Sequence, residues 1–258
     1  MELSHELTGQ GPPLVLISGC ATDRTCWVFQ VPEWSAHFRV LTFDNRGVGR
    51  SPCPAGPGST EQMADDTAEL LDSVGMESAV VLGHSMGGMI AQQLALRHPQ
   101  RVRALILAGT MPRVGARCAH VLDSWTRSLE LGVPPELHIR LILPWIFSPA
   151  FLADADKVRE SVQAYLDNPW PQGAAANSAQ VAAVLGHDTR ARLREIQAPT
   201  LILQADQDLF VALSDSLALQ EGIPGATLRV IPGGHACMLE EPAAFNQAVF
   251  EFLAATWG

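Results

Sequence analysis

Gly83-His84-Ser85-Met86-Gly87 decides the fold, because a predicted strand of apolar residues, 79–82, ends directly before it and a predicted helix runs from Ser85 towards Arg97. A serine at such a turn is held in a strained backbone conformation, and the flanking glycines remove Cβ atoms that would clash with the strand and the helix. Its hydroxyl then projects at the carboxyl end of the sheet, where the positive end of the helix favours a developing oxyanion. The motif therefore predicts a nucleophilic serine; a tight turn without a chemical role is the alternative.

Short apolar runs alternate with helical patterns on both sides of this turn. The predicted strands are 14–18, 40–44, 79–82, 104–108, 200–204 and 228–231. A helical repeat spans 63–74 behind the capping pair Ser59-Thr60, and 243–257 forms a closing amphipathic helix. Continuous apolar strands that alternate with helices are typical of a parallel sheet covered on both faces. The sequence thus predicts an α/β fold.

The segment 111–187 interrupts this alternation. It contains no clear strand, and its helical stretches are broken by several prolines. The strand pattern returns only after it. We therefore predict a core formed by 1–110 and 188–258, with 111–187 as a helical insertion.

Composition excludes several classes of protein. The chain has 258 residues, of which 47% are hydrophobic and 17% charged, so it has enough apolar material for a folded core. Its formal net charge of −10 opposes binding to nucleic acid and to anionic membranes. The start of the sequence lacks a basic segment followed by an apolar one, and no run of about 18 apolar residues occurs. We expect a cytoplasmic protein.

The cysteines suggest neither a disulfide framework nor a metal cage. There are five of them, an odd number, and no pair has C-x-x-C spacing. We expect no metal and no organic cofactor.

A serine nucleophile needs a base and a group that orients the base. His235 follows Gly233-Gly234 directly after the last predicted strand, at the same edge of the sheet as Ser85, and His187 is the alternative. The strand 200–204 is followed by Asp206 and Asp208; both are candidates for the orienting carboxylate, and we favour Asp208. The chain order Ser, Asp, His is one of the known triad orders.

On these residues the sequence resembles the α/β-hydrolase superfamily, and within it the 3-oxoadipate enol-lactonase-like ester and lactone hydrolases. The resemblance also rests on Phe43-Asp44-Asn45-Arg46-Gly47-Val48-Gly49-Arg50-Ser51 and on Glu240-Glu241-Pro242, and it extends over nearly the whole chain. It implies a mostly parallel central sheet with helices on both faces. It also implies that 111–187 is a cap over the active site.

The family's loop after the first long strand supplies one N–H to the oxyanion hole. Here that loop reads Ile17-Ser18-Gly19-Cys20-Ala21, with Ser18 in place of the usual histidine. The resemblance assigns the two oxyanion donors to the backbone N–H groups of Cys20 and Met86. Cys20 as a nucleophile and Gly47-Val48-Gly49 as a dinucleotide-binding turn are weaker interpretations, because Cys20 has no activating neighbour in sequence and the third glycine is missing.

Aromatic and small residues suggest a largely apolar substrate pocket. The candidate lining residues are Gly19, Trp27, Trp125, Trp145 and Phe147. Packing between the insertion and the core is the alternative role for the aromatic residues in 111–187. If some of them face the cleft, the substrate should be largely apolar.

Together these features predict a serine hydrolase that cleaves a small to medium carboxylic ester or lactone through an acyl-enzyme. The same residues could serve thioester or C–C bond hydrolysis, acyl transfer or perhydrolysis. A small-molecule binding protein with vestigial hydrolysis is the alternative from a different class. The expected partner is a small molecule, and a homo-oligomer is compatible with this interpretation.

Overall fold

A single mixed sheet forms the centre of the molecule. The structure, a computed structural model, describes residues 1–257. Within these residues the sheet has seven strands: β1 (His5–Thr8), β2 (Pro13–Ile17), β3 (Arg39–Phe43), β4 (Ala79–His84), β5 (Val102–Ala108), β6 (Thr200–Ala205) and β7 (Thr227–Ile231). Their spatial order is β1-β3-β2-β4-β5-β6-β7. Only the edge strand β1 is antiparallel to its neighbour, and the other pairs of strands in this sheet are parallel.

Helices connect the strands and cover the sheet. They are α1 (Gln30–Trp34), α2 (Thr60–Ser73), α3 (Met86–Arg97), α4 (Ala116–Glu130), α5 (Pro135–Ile146), α6 (Pro149–Leu152), α7 (Ala155–Leu166), α8 (Ala174–Gly186), α9 (Leu213–Gly222), α10 (Cys237–Glu240) and α11 (Pro242–Trp257). α2 begins behind Ser59, whose side chain accepts a hydrogen bond from the N–H of Gln62 as predicted for a capping residue.

The two faces of the sheet belong to two apolar cores. On β2, Val15 and Ile17 face one core, which includes α2 and α3, while Leu14 and Leu16 face the other, which includes α11. A strand that is buried on both faces has a continuous apolar sequence rather than an alternating one. This is why the apolar runs predicted the strands well, and the predicted mostly parallel sheet with helices on both faces is confirmed.

β1 is the strand that the sequence analysis missed. Its four residues, His5–Thr8, are mostly exposed and lie at the edge of the sheet. An edge strand that is solvated needs no apolar run, so the sequence carried no signal for it.

The chain between β5 and β6 forms the helices α4–α8. Their own small core contains Ile139, Leu143, Phe147 and Val162, and it extends to Ala236, the residue after His235. The helical segment is thus packed against the loop that follows β7. In the part of the chain that the structure describes, no helix has the length and apolar character needed to span a membrane.

Candidate active site

Ser85 occupies the turn between β4 and α3 in a strained conformation. Its φ of 56° and ψ of −120° are unfavourable for a residue with a Cβ, at a cost of about 1 to 3 kcal/mol. The turn is held from both sides: the Ser85 N–H donates to the carbonyl of Ala108 (2.9 Å), and the Thr110 hydroxyl donates to the carbonyl of Ser85 (2.8 Å). The half-buried Ser85 side chain is therefore fixed at the carboxyl end of the sheet.

The glycines on either side of Ser85 are required by close backbone contacts. A Cβ at Gly83 would collide with the carbonyl of Gly87, and a Cβ at Gly87 would collide with the carbonyl of Ile17. These contacts bring the end of β2 against the first turn of α3. The glycine pattern thus packs the loop after β2 beside the serine.

Ser85, His235 and Asp208 form one chain of hydrogen bonds. His235 Nε2 lies 3.0 Å from Ser85 Oγ, and His235 Nδ1 lies 2.8 Å from Asp208 Oδ2. Since an ionised carboxylate can only accept, Nδ1 carries the proton and the unprotonated Nε2 can accept the Ser85 hydroxyl proton. The arrangement places a hydrogen-bond acceptor next to a serine hydroxyl, as general-base activation of a hydroxyl requires.

The carboxylate of Asp208 is positioned by the backbone that follows it. Its side chain is completely buried, and Oδ1 accepts hydrogen bonds from the N–H groups of Phe210 and Val211, both at 2.8 Å. Asp206 contacts a different group, because its Oδ1 accepts from the N–H of Gly233 (3.1 Å). The structure therefore brings Asp208, and not Asp206, to the imidazole of His235.

His84 supports the loop of His235 without facing Ser85 Oγ. Its Nε2 donates to the carbonyl of His235 at 2.8 Å. Burial, and then the proximity of His235, lower the pKa of His84 to about 3, so His84 stays neutral. A neutral neighbour adds no positive charge beside the imidazole of His235.

Glu240 ties the same loop to the helical segment, a role that the sequence analysis did not assign. Its carboxylate accepts from the N–H of Gly234 (2.8 Å) and from the N–H of Ser148 (3.1 Å), which lies between α5 and α6. The N–H of Ala236 donates to the carbonyl of Ile146 at 2.9 Å. The residues on either side of His235 are thus linked to the helical segment, Ala236 directly and Gly234 through the carboxylate of Glu240.

The loop after β2 lies against Ser85. A Cβ at Gly19 would be 3.2 Å from the Cβ of Ser85. Among the hydrogen bonds within residues 1–257, none uses the backbone N–H of Cys20 or of Met86, the first residue of α3. Both donors remain available for an oxyanion. Burial raises the pKa of the Cys20 thiol to about 12, which opposes its use as a thiolate nucleophile.

Ser18 anchors this loop to the core. Its buried hydroxyl oxygen accepts from Trp27 Nε1 (3.1 Å), and its carbonyl accepts from Asn45 Nδ2 (3.0 Å). Trp27 is fully buried in the core on the Leu14 face of the sheet. The prediction that Trp27 lines the pocket is therefore wrong, because its indole packs beneath the loop after β2 instead of facing a cleft.

Comparison with known proteins agrees with this geometry. The model of the family described as having the α/β hydrolase fold matches residues 12–242. The chain belongs to the α/β-hydrolase family. It is 32% identical over 255 residues to a protein of Azorhizobium caulinodans named "Putative carbamate hydrolase RutD", covering 97% of this chain and 94% of that one.

Other α/β-hydrolases are similarly related. The 3-oxoadipate enol-lactonase 2 of Acinetobacter baylyi is 30% identical over 254 residues, covering 96% of this chain and 91% of the relative. A crystal structure of a hydrolase from Pseudomonas aeruginosa has a TM-score of 0.88 and 34% identity, covering 97% of this chain and 94% of that chain. These relatives confirm the predicted resemblance and show that the protein is a hydrolase.

Phe210 connects the helical segment of this α/β-hydrolase to the imidazole. Its ring lies 5.1 Å from that of His235, and the ring of Trp125 on α4 stacks on Phe210 at 5.4 Å and 6°. Phe147, by contrast, stacks on Phe151 at 4.0 Å and is buried in the core of the helical segment. Its contacts therefore match the packing role that was the alternative to lining the pocket. Trp145 is half-buried at the end of α5. Sequence reasoning missed Phe210, although it follows Asp208 by two residues.

The loop 46–50 of this hydrolase is organised around a carboxylate of the chain itself. Asp44 accepts from the N–H of Arg50 (3.0 Å) and the N–H of Arg24 (3.0 Å), and a Cβ at Gly49 would collide with that carboxylate. This contact with Asp44 explains why residue 49 is a glycine. A dinucleotide-binding turn is therefore not needed to explain the glycines of this loop. Within residues 1–257 no group of three or more His, Cys, Asp or Glu side chains is arranged to hold a metal ion.

His187, the alternative base, lies elsewhere in this α/β-hydrolase. It is buried after α8, and its Nδ1 lies 3.0 Å from the hydroxyl of Thr60 at the start of α2. Its Nε2 is a buried atom without a hydrogen-bond partner. Burial lowers the pKa of His187 to about 4. This histidine therefore joins the helical segment to α2 in its neutral form.

We expect the variant His187→Asn to have a flatter pH dependence of stability. Between pH about 6.5 and about 4 the unfolded chain protonates His187 and the folded chain does not, so stability decreases as the pH falls. This histidine then contributes a slope of about 1.4 kcal/mol per pH unit, which Asn removes while retaining a polar atom near Thr60. Urea unfolding at several pH values measures the difference. Parallel curves for the two proteins would contradict the expectation.

Proposed function

We propose that this α/β-hydrolase is a serine hydrolase that cleaves carboxylic esters or lactones through an acyl-enzyme. The observation that carries the proposal is the hydrogen-bonded chain from Asp208 through His235 to Ser85, at 2.8 and 3.0 Å. A strained serine, an oriented imidazole and a buried carboxylate are the groups that this chemistry needs.

In the first half of the reaction Ser85 Oγ attacks the carbonyl carbon and His235 Nε2 takes the hydroxyl proton. The Asp208 carboxylate stabilises the resulting imidazolium through Nδ1–H. The tetrahedral intermediate collapses, the C–O bond to the alcohol breaks, and His235 returns the proton to the leaving oxygen. In a lactone that oxygen stays attached to the acyl chain.

In the second half water replaces the alcohol. His235 removes a proton from water as the water oxygen attacks the acyl carbon, and the proton then returns to Ser85 Oγ as the acid is released. In both halves the oxyanion is bound by the N–H groups of Cys20 and Met86. One such donor is worth about 10² to 10³ in kcat. This chain's residues perform each proton transfer, so the mechanism requires no cofactor.

The segment 111–187 acts in this proposal as a cap over Ser85. The Trp125–Phe210 stack beside His235 would form an apolar and aromatic wall, with rings 5.4 Å apart. Such a wall favours substrates in which the group next to the scissile carbonyl is largely apolar. The half-buried Trp145 and the buried Gly19 belong to the same pocket in this proposal.

Carbamate hydrolysis is a second candidate, because the A. caulinodans relative, 32% identical, carries the name of a carbamate hydrolase. The A. baylyi relative, which is named an enol-lactonase and is 30% identical, supports a lactone as the substrate. The same nucleophile, base and oxyanion donors would serve both. They differ in the group on the carbonyl carbon, nitrogen in one case and carbon in the other.

A substrate panel tests the proposal. We expect multiple turnovers on p-nitrophenyl esters of graded acyl length and on γ- and δ-lactones, with one acid released per bond cleaved, measured by titration at constant pH. Phenyl carbamate in the same panel tests the second candidate. If the protein binds these compounds but releases at most one equivalent of product, the proposal of a serine hydrolase with multiple turnovers is contradicted. That result would support a binding protein with vestigial hydrolysis.

A further inference from the structure

A buried amide of the helical segment contacts the loop that carries the oxyanion donor. Gln180 on α8 is 1% exposed, and its Oε1 accepts a hydrogen bond from the backbone N–H of Ala21 at 2.8 Å. Ala21 directly follows Cys20. The Nε2 of Gln180 donates to the carbonyl of Arg46 at 2.8 Å. The two backbone partners fix the orientation of the amide, since an N–H must face Oε1 and a carbonyl must face Nε2.

The peptide that Gln180 contacts is in a strained conformation. Ala21 has a φ of 57°, in the left-handed region that a residue with a Cβ rarely adopts. In the same peptide the carbonyl of Cys20 accepts from the Thr22 hydroxyl at 3.0 Å. The peptide between residues 20 and 21 is therefore held at both its N–H and its carbonyl. Without an acceptor for the Ala21 N–H, this strained loop would relax to other conformations.

Gln180 is itself held by further amides. Gln172 Nε2 donates to Gln180 Oε1 (3.1 Å) and to the carbonyl of Gly47 (3.0 Å). Asn177 Nδ2 donates to Gln172 Oε1 (3.0 Å), and the Thr126 hydroxyl on α4 donates to Asn177 Oδ1 (2.8 Å). The Gln180 side chain thus has both of its oxygen lone pairs and one N–H occupied. Its position is determined by the network rather than by its own rotamer alone.

We propose that Gln180 is a positioning residue that holds the N–H of Cys20 in the geometry for oxyanion binding. It acts through the Ala21 peptide and touches no reacting atom. The inference rests on the proposed function, in which that N–H stabilises the tetrahedral intermediate. In this proposal α8 contributes to catalysis through Gln180, in addition to its part in the cap.

The variant Gln180→Met tests this, because methionine has a similar length and no strong acceptor for the Ala21 N–H. We expect kcat on a p-nitrophenyl ester to fall by about 10- to 100-fold with KM changed by less than about threefold, since the interaction matters mainly in the transition state. Turnover is normalised to the fraction of protein that a fluorophosphonate titrates, so unfolded molecules are not counted. Gln180→Leu carries the same expectation if Gln180→Met does not fold.

Inhibition by a trifluoromethyl ketone distinguishes a lost position of the oxyanion donor from a general loosening of the active site. Its adduct with Ser85 places an oxyanion in the hole, so its inhibition constant should rise by the same factor as kcat falls. The control Thr67→Val removes a buried hydroxyl that lies outside this network and donates to the carbonyl of Met63 within α2, at 2.8 Å. It should change thermal stability without changing kcat.

The outcomes distinguish this inference from the proposed function. If the unmodified chain is labelled by the fluorophosphonate and turns over ester, but Gln180→Met retains kcat within about threefold of it, the inference is overturned alone. An equal loss of kcat in Thr67→Val, or an unchanged inhibition constant in Gln180→Met, also overturns it. If the unmodified chain shows neither labelling nor turnover, the serine chemistry fails and this inference fails with it.

Discussion

Ser85→Ala is expected to lower ester turnover by about 10⁴-fold or more. The reason is that the alanine side chain has no oxygen, so no acyl-enzyme forms and His235 has no proton to accept. The effect should appear in kcat, because binding of the ester depends on the cleft and the oxyanion donors, which remain. Initial rates with a p-nitrophenyl ester under saturating conditions measure it.

A second serine variant serves as the matched control. Ser124 lies exposed on α4, and its hydroxyl donates to the carbonyl of His120 in its own helix, at 2.8 Å. Ser124→Ala should retain turnover within about twofold of the unmodified chain. A loss of less than tenfold in Ser85→Ala would mean that Ser85 is not the nucleophile.

Asp208→Asn is expected to cost about 10⁴-fold in kcat through the wrong tautomer of His235. The N–H groups of Phe210 and Val211 would keep the amide oxygen of Asn at the position of Oδ1. The amide NH₂ then takes the place of Oδ2, 2.8 Å from His235 Nδ1, and forces that nitrogen to accept. The proton moves to Nε2, which is no longer a base for the Ser85 hydroxyl.

Asp206→Asn is the comparison for this variant, since it makes the same chemical change two residues away. Its retained oxygen can still accept from the N–H of Gly233, so the loss should stay below about tenfold. Equal losses in the two variants would show that the carboxylates act through general loop stability and would contradict the role of Asp208. Circular dichroism and thermal unfolding of each variant establish that the comparison is between folded proteins.

The parts of the fold that sequence predicted are those determined locally. Ser85 is recognisable because the strand, the glycines and the helix around it are contiguous, and the strands buried on both faces are continuous apolar runs. β1 escaped because an exposed edge strand has no such pattern. The choice between Asp206 and Asp208 stayed open because each follows β6, and only the backbone turn at 210–211 decides which one meets His235.

Contacts between distant segments explain the remaining errors and omissions. The sequence predicted Trp27 as a pocket residue because it follows the loop after β2. Its indole instead packs in the core and donates a hydrogen bond to the hydroxyl oxygen of Ser18. Gln180 carries no local signal, since its partner Ala21 is 159 residues away in sequence. Phe210 and Glu240 likewise acquire their roles from His235 and Ser148. Such residues become visible only when the chain is folded.

The helical segment is bonded to two loops of the site, the loop after β7 and the loop after β2. The bonds between Glu240 and Ser148 and between Ala236 and Ile146 tie it to the loop of His235, and the bond from the N–H of Ala21 to Gln180 ties it to the loop after β2. A change in the packing of α4–α8 is therefore expected to shift both His235 and the loop after β2.

Intact mass after treatment with a fluorophosphonate tests the proposal that Ser85 is an activated nucleophile. The probe reacts with activated serines and needs no knowledge of the natural substrate. We predict one adduct per chain in the unmodified protein and in Ser124→Ala, and none in Ser85→Ala. An unlabelled unmodified protein, or an adduct that persists in folded Ser85→Ala, would show that Ser85 is not the activated nucleophile.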